Sequence, residues 1–132
     1  MNLSASISIV SKELMRYDTA GDWIVELMQY DAAGDLIVPN EKIAITVARQ
    51  KDRRYEMLIA VHELVEAILC RERGITADMV DEWDIILHPE AQDPGALPGC
   101  PYAKEHSAAE CIERMLAHEL GVEWNTYLEE TV

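Results

Sequence analysis

His62, Glu63 and Glu66 combine metal-binding side chains with the spacing of one helix face. Residues four apart project from the same side of a helix, one turn from each other, so His62 and Glu66 can reach one ion. Glu63 falls within about 100° of both around the helix axis. Imidazole nitrogens and carboxylate oxygens are both ordinary zinc ligands. The spacing therefore predicts a divalent metal bound to His62 and Glu66.

Apolar residues surround this triplet, which predicts that its helix is buried. They cover most of the helix circumference: Tyr55, Met57, Leu58, Ile59, Val61, Leu64, Val65, Ile68 and Leu69. A helix that is apolar on nearly every side is normally a buried one. Burying an imidazole and two carboxylates costs several kcal/mol unless something compensates, and a divalent cation would do so. The alternative for so short a motif is a hydrogen-bonded core histidine beside two surface acids.

The string His62-Glu63-Leu64-Val65-Glu66 resembles the active helix of the zincin metallopeptidases, whose pattern is HExxH. The resemblance implies that His62 binds zinc and that Glu63 is the general base that activates the metal-bound water. It also implies that Glu66 occupies the second ligand position, where the family has His and this chain has Glu. A strand ahead of the active helix, here predicted at 42–48, also suits a small zincin.

A third ligand is predicted at His106, which follows a Pro-rich segment and starts the last long helix. With His62 and Glu66 it would give two His and one Glu around an open fourth position, the composition of a catalytic zinc site. The preference of acids for helix N-termini explains the neighbouring Glu105 without a metal, but it does not explain His106. Three acids of this helix could add a ligand or orient an imidazole from behind: Glu105, Glu110 and Glu113.

Two further groups could approach the same site. Asp81 and Asp84 lie three residues apart in the second predicted helix and could face the first. Cys70 shares the side of Glu66 and could approach a metal, although the sequence favours a buried structural thiol. His88 and His118 occupy ordinary polar positions.

The first fifty residues are predicted to form the β part of an α+β fold. Apolar or alternating runs indicate strands at 7–10, 23–30, 36–38 and 42–48. Gly34 can take the left-handed conformation that closes a hairpin between the second and third of these. The pattern predicts a small antiparallel sheet or hairpin at the N-terminus.

Three main helices are predicted to pack on this sheet, with the first and longest at the centre. The helical segments, in chain order, are 53–73, 77–87, 102–120 and a short tail at 124–128. Asp52 is a plausible N-cap for the first helix and Gly74 its C-terminal glycine. The segment 88–101, rich in Pro and Gly, is predicted to be a loop of the kind that is often functional. The chain 1–132 is predicted to be one domain, mainly β over 1–50 and mainly helical over 52–128.

Composition narrows the class of protein. The net charge of −14, from 25 acidic and 11 basic residues, argues against binding nucleic acid through its phosphates. No apolar run approaches the roughly 18 residues of a membrane span, and the N-terminus lacks a signal-peptide pattern. The three cysteines have no close spacing, so neither a disulfide framework nor a zinc finger is expected. We therefore expect a cytoplasmic protein without membrane or direct nucleic acid partners.

An ordered set of short strings resembles a family of small uncharacterised bacteriophage and prophage proteins. The strings span roughly residues 53–127 and are, in chain order, Arg54-Tyr55-Glu56, His62-Glu63-Leu64-Val65-Glu66-Ala67, Val80-Asp81-Glu82-Trp83-Asp84, Pro101-Tyr102, Glu105-His106 and Leu120-Gly121-Val122-Glu123-Trp124. The resemblance implies a viral or prophage origin, and hence the cytoplasm of a host cell. It brings no established activity.

Three functions compete at this point. The first is a zinc-dependent hydrolase of the peptidase or amidase kind. The second is a non-enzymatic acidic phage protein that binds and inhibits a host protein, with the His and Glu cluster structural. The third is a magnesium-dependent nucleotide pyrophosphohydrolase, because Glu63-x-x-Glu66 and Asp81-x-x-Asp84 resemble the paired acidic motifs of the all-α nucleoside triphosphate pyrophosphatases. The sequence fixes neither the substrate nor the oligomeric state.

Overall fold

A computed structural model describes residues 2–132, and the side chains of residues 28–30 and 36–39 and all of Met1 lie outside what it describes. Three strands, β1 (Asn2–Val10), β2 (Gly21–Tyr30) and β3 (Leu36–Ala48), precede four α-helices. The helices are α1 (Arg53–Glu72), α2 (Ala77–Asp81), α3 (Ala103–Glu119) and α4 (Trp124–Glu130). The predicted α+β class, with a long first helix after an N-terminal sheet, is confirmed. None of the described helices is long and apolar enough to cross a membrane.

The sheet is mixed, with the strand order β1-β3-β2. β2 and β3 form the predicted antiparallel hairpin, and Gly34 takes a positive φ of 84° in its turn. β1 pairs in parallel with β3, so the expectation of an antiparallel sheet was wrong for this strand. The reason is the strand order: β3 inserts between the first two strands, and as the third strand it runs in the same direction as β1. Local sequence patterns do not encode such an insertion.

β3 is one strand where two were predicted, at 36–38 and 42–48. It continues through Pro39, opposite a register shift between Met28 and Tyr30, which is where a sheet tolerates a proline that cannot donate to the ladder. The predicted alternation of Ile43, Ile45 and Val47 is confirmed, since each of these side chains is at most 1% exposed. This row forms the face of the sheet that the helices cover.

α1 lies between the sheet and α3. Asp52 caps it as predicted, by accepting a hydrogen bond from the backbone N–H of Arg54 at 2.8 Å. The expectation that α1 is buried all round is only partly met, because Met57 and Ile68 are 40% and 43% exposed on its outer side. The two covered sides place His62 towards α3 and Ile59 against Gly21 of β2.

The second predicted helix, 77–87, is shorter than expected as an α-helix. After Asp81 the chain widens into a π-helical segment, Glu82–Leu87, a geometry that is frequent near functional sites. The predicted loop at 88–101 contains a 3-10 turn, Pro94–Ala96, and the Trp83 indole fixes it by donating to the Pro94 carbonyl at 2.8 Å. This loop folds back over the start of α3.

Candidate metal centre

Three predicted ligands converge at the junction of α1 and α3. His62 Nε2 lies 3.2 Å from Glu66 Oε2 and 3.2 Å from His106 Nδ1, and His106 Nδ1 lies 2.9 Å from Glu66 Oε2. A tetrahedral zinc ion with bonds of about 2.0–2.1 Å holds its ligand atoms about 3.3–3.4 Å apart. The three atoms are therefore close to the spacing that a metal requires, and they could hold one ion.

A carboxylate orients each histidine from the far side of its ring. His62 Nδ1 donates to Glu113 Oε1 at 2.7 Å, and His106 Nε2 donates to Asp93 Oδ1 at 2.9 Å. Because an ionised carboxylate only accepts, the proton on each of these nitrogens is fixed, and the other ring nitrogen points at Glu66. Carboxylate support of this kind is typical of metal-bound histidines.

The two carboxylate oxygens of Glu66 have different partners. Its Oε2 faces both histidines, while its Oε1 accepts a hydrogen bond from the Trp23 indole at 3.1 Å. Trp23 is a buried residue of β2, so the sheet positions this ligand. The arrangement favours binding of a metal through a single carboxylate oxygen.

The charges of the cluster are strongly coupled. Burial would raise the pKa of Glu66, but hydrogen bonds from His106 and His62 outweigh it and lower the pKa to about 2. Burial would lower the pKa of His106, but the carboxylates of Asp93 and Glu66 raise it to about 9. The pKa of His62 is likewise raised well above its ordinary value, against burial, by Glu113 and Glu66. A metal that binds the inner ring nitrogens would therefore have to displace protons from them.

Glu63 differs from the other acids of the site. It lines the same cleft, but no hydrogen bond or ion pair reaches it from any side chain that the structure describes. Burial, together with the negative charge of Glu66, raises the pKa of Glu63 to about 8. Glu63 packs directly on Gly21, where an added Cβ would lie 2.8 Å from its Cγ. It is therefore a carboxyl group poised to exchange a proton near neutral pH.

The cluster opens into a cleft of about 910 Å³. Its lining includes the chain entering β2, from Tyr17 to Trp23, and the loop from Pro89 to Gly95. Gly95 is required in this loop, because an added Cβ would lie 2.5 Å from the His106 ring. The loop therefore packs directly against the ring of a predicted ligand.

The remaining predicted residues lie nearby without joining the three ligand atoms. Glu105 is buried and pairs with Arg73 at 2.7 Å, which explains an acid in the apolar side of α3. Asp81 pairs with Arg16 at 3.1 Å, and Arg16 also holds Asp22. Asp84 accepts a hydrogen bond from the Tyr102 hydroxyl, and burial raises its pKa to about 6.

Glu110 and Glu113 lie on the face of α3 that His106 begins. Glu113 accepts a hydrogen bond from His62, which is the contact expected of an acid that orients an imidazole from behind. Glu110 lines the cleft but is outside the group of converging ligand atoms. Cys70 is fully buried in the core, and burial raises its pKa to about 12, which fits a structural thiol.

Sequence reasoning missed Asp93, Trp23 and Tyr127. Asp93 lies in the Pro-rich loop, Trp23 is distant in sequence, and the Tyr127 hydroxyl donates to the second oxygen of Glu113. The loop at 88–101 was expected to be functional, and the carboxylate of Asp93 in that loop was the only local signal for its role. Nothing in the local pattern around Trp23 or Tyr127 indicates its partner, which is 43 residues away for Trp23 and 14 for Tyr127.

Comparison of the chain with family models, curated proteins and solved structures finds no match. The resemblance to phage and prophage proteins therefore stays a prediction.

Proposed function

We propose that this protein is a zinc-dependent hydrolase of the peptidase or amidase type, with the metal held by His62, Glu66 and His106. The observation that carries the proposal is the set of inner atoms, 2.9–3.2 Å apart, that outer carboxylates hold in place. Two His and one carboxylate with an open position are the ligands of catalytic zinc sites, and the same donors also suit iron(II). Zinc is favoured by the carboxyl group of Glu63, which lines the same cleft as the ligands and has no hydrogen-bond or ion-pair partner among the described side chains.

Glu63 is the proposed general base. Bound zinc would acidify a water molecule and polarise the substrate carbonyl. With zinc held by His62, Glu66 and His106, Glu63 would accept a proton from the attacking water and would return it to the leaving amine as the C–N bond breaks. Burial and the charge of Glu66 raise the pKa of Glu63 in the metal-free protein, and the positive charge of a bound zinc ion would lower it again, which would leave Glu63 ionised and able to accept a proton.

The placement of the other acids disfavours the magnesium pyrophosphohydrolase. That enzyme would need Asp81 and Asp84 as free metal ligands opposite Glu63 and Glu66. Asp81 is instead paired with Arg16, and Asp84 accepts a hydrogen bond from Tyr102. Two imidazoles among the ligands also suit zinc better than magnesium.

We also propose that the protein works in a reducing cytoplasm, that of the host cell if the chain is phage-encoded. All three cysteines being free supports this: Cys70, Cys100 and Cys111.

The test compares zinc-loaded wild type with Glu63→Gln on a library of quenched fluorescent peptides and amides. Loss of a general base predicts a fall in kcat of about 10²–10⁴-fold with the zinc content unchanged. Glu119→Gln, an exposed residue of the same charge on α3, is the control and should keep full activity. A zinc-loaded wild type that cleaves nothing, or a Glu63→Gln variant as active as wild type, would overturn the hydrolase. The first outcome would favour the acidic binding protein.

A further inference from the structure

β1 is an edge strand of the sheet, and its outer side is open. Among the described residues it pairs with β3 alone, since the strand order is β1-β3-β2. The Val10 carbonyl accepts a hydrogen bond from the Arg49 N–H at 2.7 Å, so Val10 directs its backbone groups towards β3. Successive residues of a strand direct these groups to opposite sides, so every second residue points an N–H and a C=O outward. The outward residues are Leu3, Ala5, Ile7 and Ile9.

The side chains of the same four residues form an apolar row that the helices leave largely uncovered. The row is adjacent in register to the buried apolar row of β3, so it lies on the face of the sheet that carries the core. α1 packs on β2 and β3, and Ile9 reaches this core. Leu3 and Ile7 remain 52% and 51% exposed. A strand added to this edge would continue the sheet and cover them.

β1 lacks the features by which proteins usually protect an edge strand. Charged side chains, prolines and bulges normally prevent such edges from pairing. β1 contains no charged residue, no Pro and no Gly, and it pairs with β3 in an unbroken register over Asn2–Val10. The opposite edge, β2, is protected by the exposed Glu26 and by the register shift between Met28 and Tyr30. β1 is therefore the edge at which another strand can add.

The order of residues in β1 is self-complementary about Ser6. Antiparallel pairing with a second copy about this residue places apolar side chains opposite apolar ones and serines opposite serines. The opposed pairs are Leu3 with Ile9, Ala5 with Ile7, Ser4 with Ser8, and Ser6 with its own copy. The outward N–H and C=O groups of the apolar residues then meet as hydrogen-bonded pairs, which gives about eight backbone hydrogen bonds between the two copies. Two-fold pairing of identical surfaces is the commonest symmetry of soluble oligomers.

The charges near this edge allow two copies of an acidic chain to approach each other. Each copy carries a net charge of −14, so repulsion opposes contact through most of the surface. β1 is uncharged, and Glu41, the register partner of Leu3, is paired with Arg71 at 2.7 Å. Nine residues at about 3.4 Å each give an edge about 30 Å long, which with its side chains buries on the order of 800 Å² in total. This area is at the low end of specific interfaces and favours a dimer of moderate affinity.

We infer that the protein forms a two-fold dimer in which β1 of one copy pairs antiparallel with β1 of the other, so that their sheets join into one. The metal centre stays clear of this interface, because Trp23, which holds Glu66, lies on β2 at the opposite edge of the sheet. The inference is therefore independent of the proposed hydrolase, and the dimer is expected with and without zinc.

Sedimentation velocity over a range of protein concentrations tests the inference. We expect wild type to show a monomer–dimer equilibrium with a Kd of about 10 µM. Ile7→Lys places a charge in the paired edge and should raise this Kd by about tenfold or more. Leu27 is 57% exposed on β2, so Leu27→Lys makes the same change of charge at the other edge and should leave the Kd unchanged. Circular dichroism checks that both variants are folded.

Disulfide cross-linking tests the register, in a Cys111→Ser background that removes the exposed native thiol. Ser6 lies opposite its own copy in a pair without backbone hydrogen bonds, where the Cα atoms are about 4.5 Å apart, so Ser6→Cys should form a cross-linked dimer under mild oxidation. The two copies of residue 4 are offset by about 14 Å, so Ser4→Cys, the matched control, should not.

Three results would overturn the inference. A dimer that Ile7→Lys leaves intact would place the interface elsewhere, and cross-linking of Ser4→Cys as fast as that of Ser6→Cys would exclude this register. A wild type that stays monomeric up to about 200 µM would exclude self-pairing and leave the edge to an extended segment of a different protein.

Discussion

Replacing Glu113 by Gln tests whether the carboxylates behind the histidines support metal binding. Gln keeps a carbonyl that can accept from His62 Nδ1 but removes the negative charge that makes the imidazole a stronger ligand. Removing such a supporting group typically reduces metal affinity 10–100-fold, about 1.4–2.7 kcal/mol. The Glu113 side chain is only 9% exposed and its bond is 2.7 Å, whereas Asp93 is 56% exposed with a bond of 2.9 Å. We therefore expect the affinity for zinc to fall about 100-fold in Glu113→Gln and about 10-fold in Asp93→Asn, because water screens the pair of Asp93 with His106.

The assay is competition for zinc against a chelating fluorescent indicator at fixed pH. Urea unfolding of each metal-free variant checks that the fold is retained. His118 is an exposed histidine of α3, so His118→Ala serves as the control and should leave the affinity for zinc unchanged. The reasoning would be refuted if Asp93→Asn weakened zinc binding more than Glu113→Gln, or if both variants bound zinc as tightly as wild type.

Two further predictions concern protons and packing. The pKa of His106 is about 9 and that of His62 is well above its ordinary value, so zinc must displace protons from both rings when it binds. The affinity of the protein for zinc should therefore rise by more than about tenfold per pH unit between pH 6 and 8, as measured by indicator titrations. Folding raises the pKa of His106 from about 6.5 in the unfolded chain to about 9, so protonated His106 stabilises the metal-free fold. This contribution to the free energy of unfolding is complete below about pH 6.5 and is lost as the pH rises through about 9. Urea unfolding at pH 6 and pH 9 in the presence of a chelator would detect the difference. Gly21→Ala places a Cβ 2.6 Å from Ile59 Cγ2 and 2.8 Å from Glu63 Cγ, so it should cost about 1–3 kcal/mol of unfolding free energy and reduce turnover with zinc retained. Stability equal to wild type in that variant would contradict the close packing.

The parts of the fold that the sequence predicted are those that local patterns determine. The alternation of Ile43, Ile45 and Val47 indicates a half-buried strand, and Asp52 with Gly74 indicates the ends of α1, which the structure places at Arg53 and Glu72. The parallel pairing of β1 was missed because strand order depends on tertiary packing. The π-helical end of α2 was missed because its residues have an ordinary helical pattern.

The candidate site shows the same division. His62 and Glu66 could be paired by their spacing alone, because helix geometry brings residues four apart together. His106 was predicted because its imidazole would complete a ligand set of two His and one Glu. The distance of 2.9 Å between His106 Nδ1 and Glu66 Oε2 depends on how α3 packs on α1. Trp23 and Asp93 hold the ligands through contacts across the fold, and the sequence contains no local pattern for such contacts.

The most direct test of the account is the metal content of untagged protein, measured by mass spectrometry beside His62→Ala and His106→Ala. His118→Ala is the matched control. We expect about one zinc ion per chain in wild type and in the control, and loss of the metal in both ligand variants while they remain folded. A well-folded wild type that contains no metal, and that binds none when zinc is added, would contradict it.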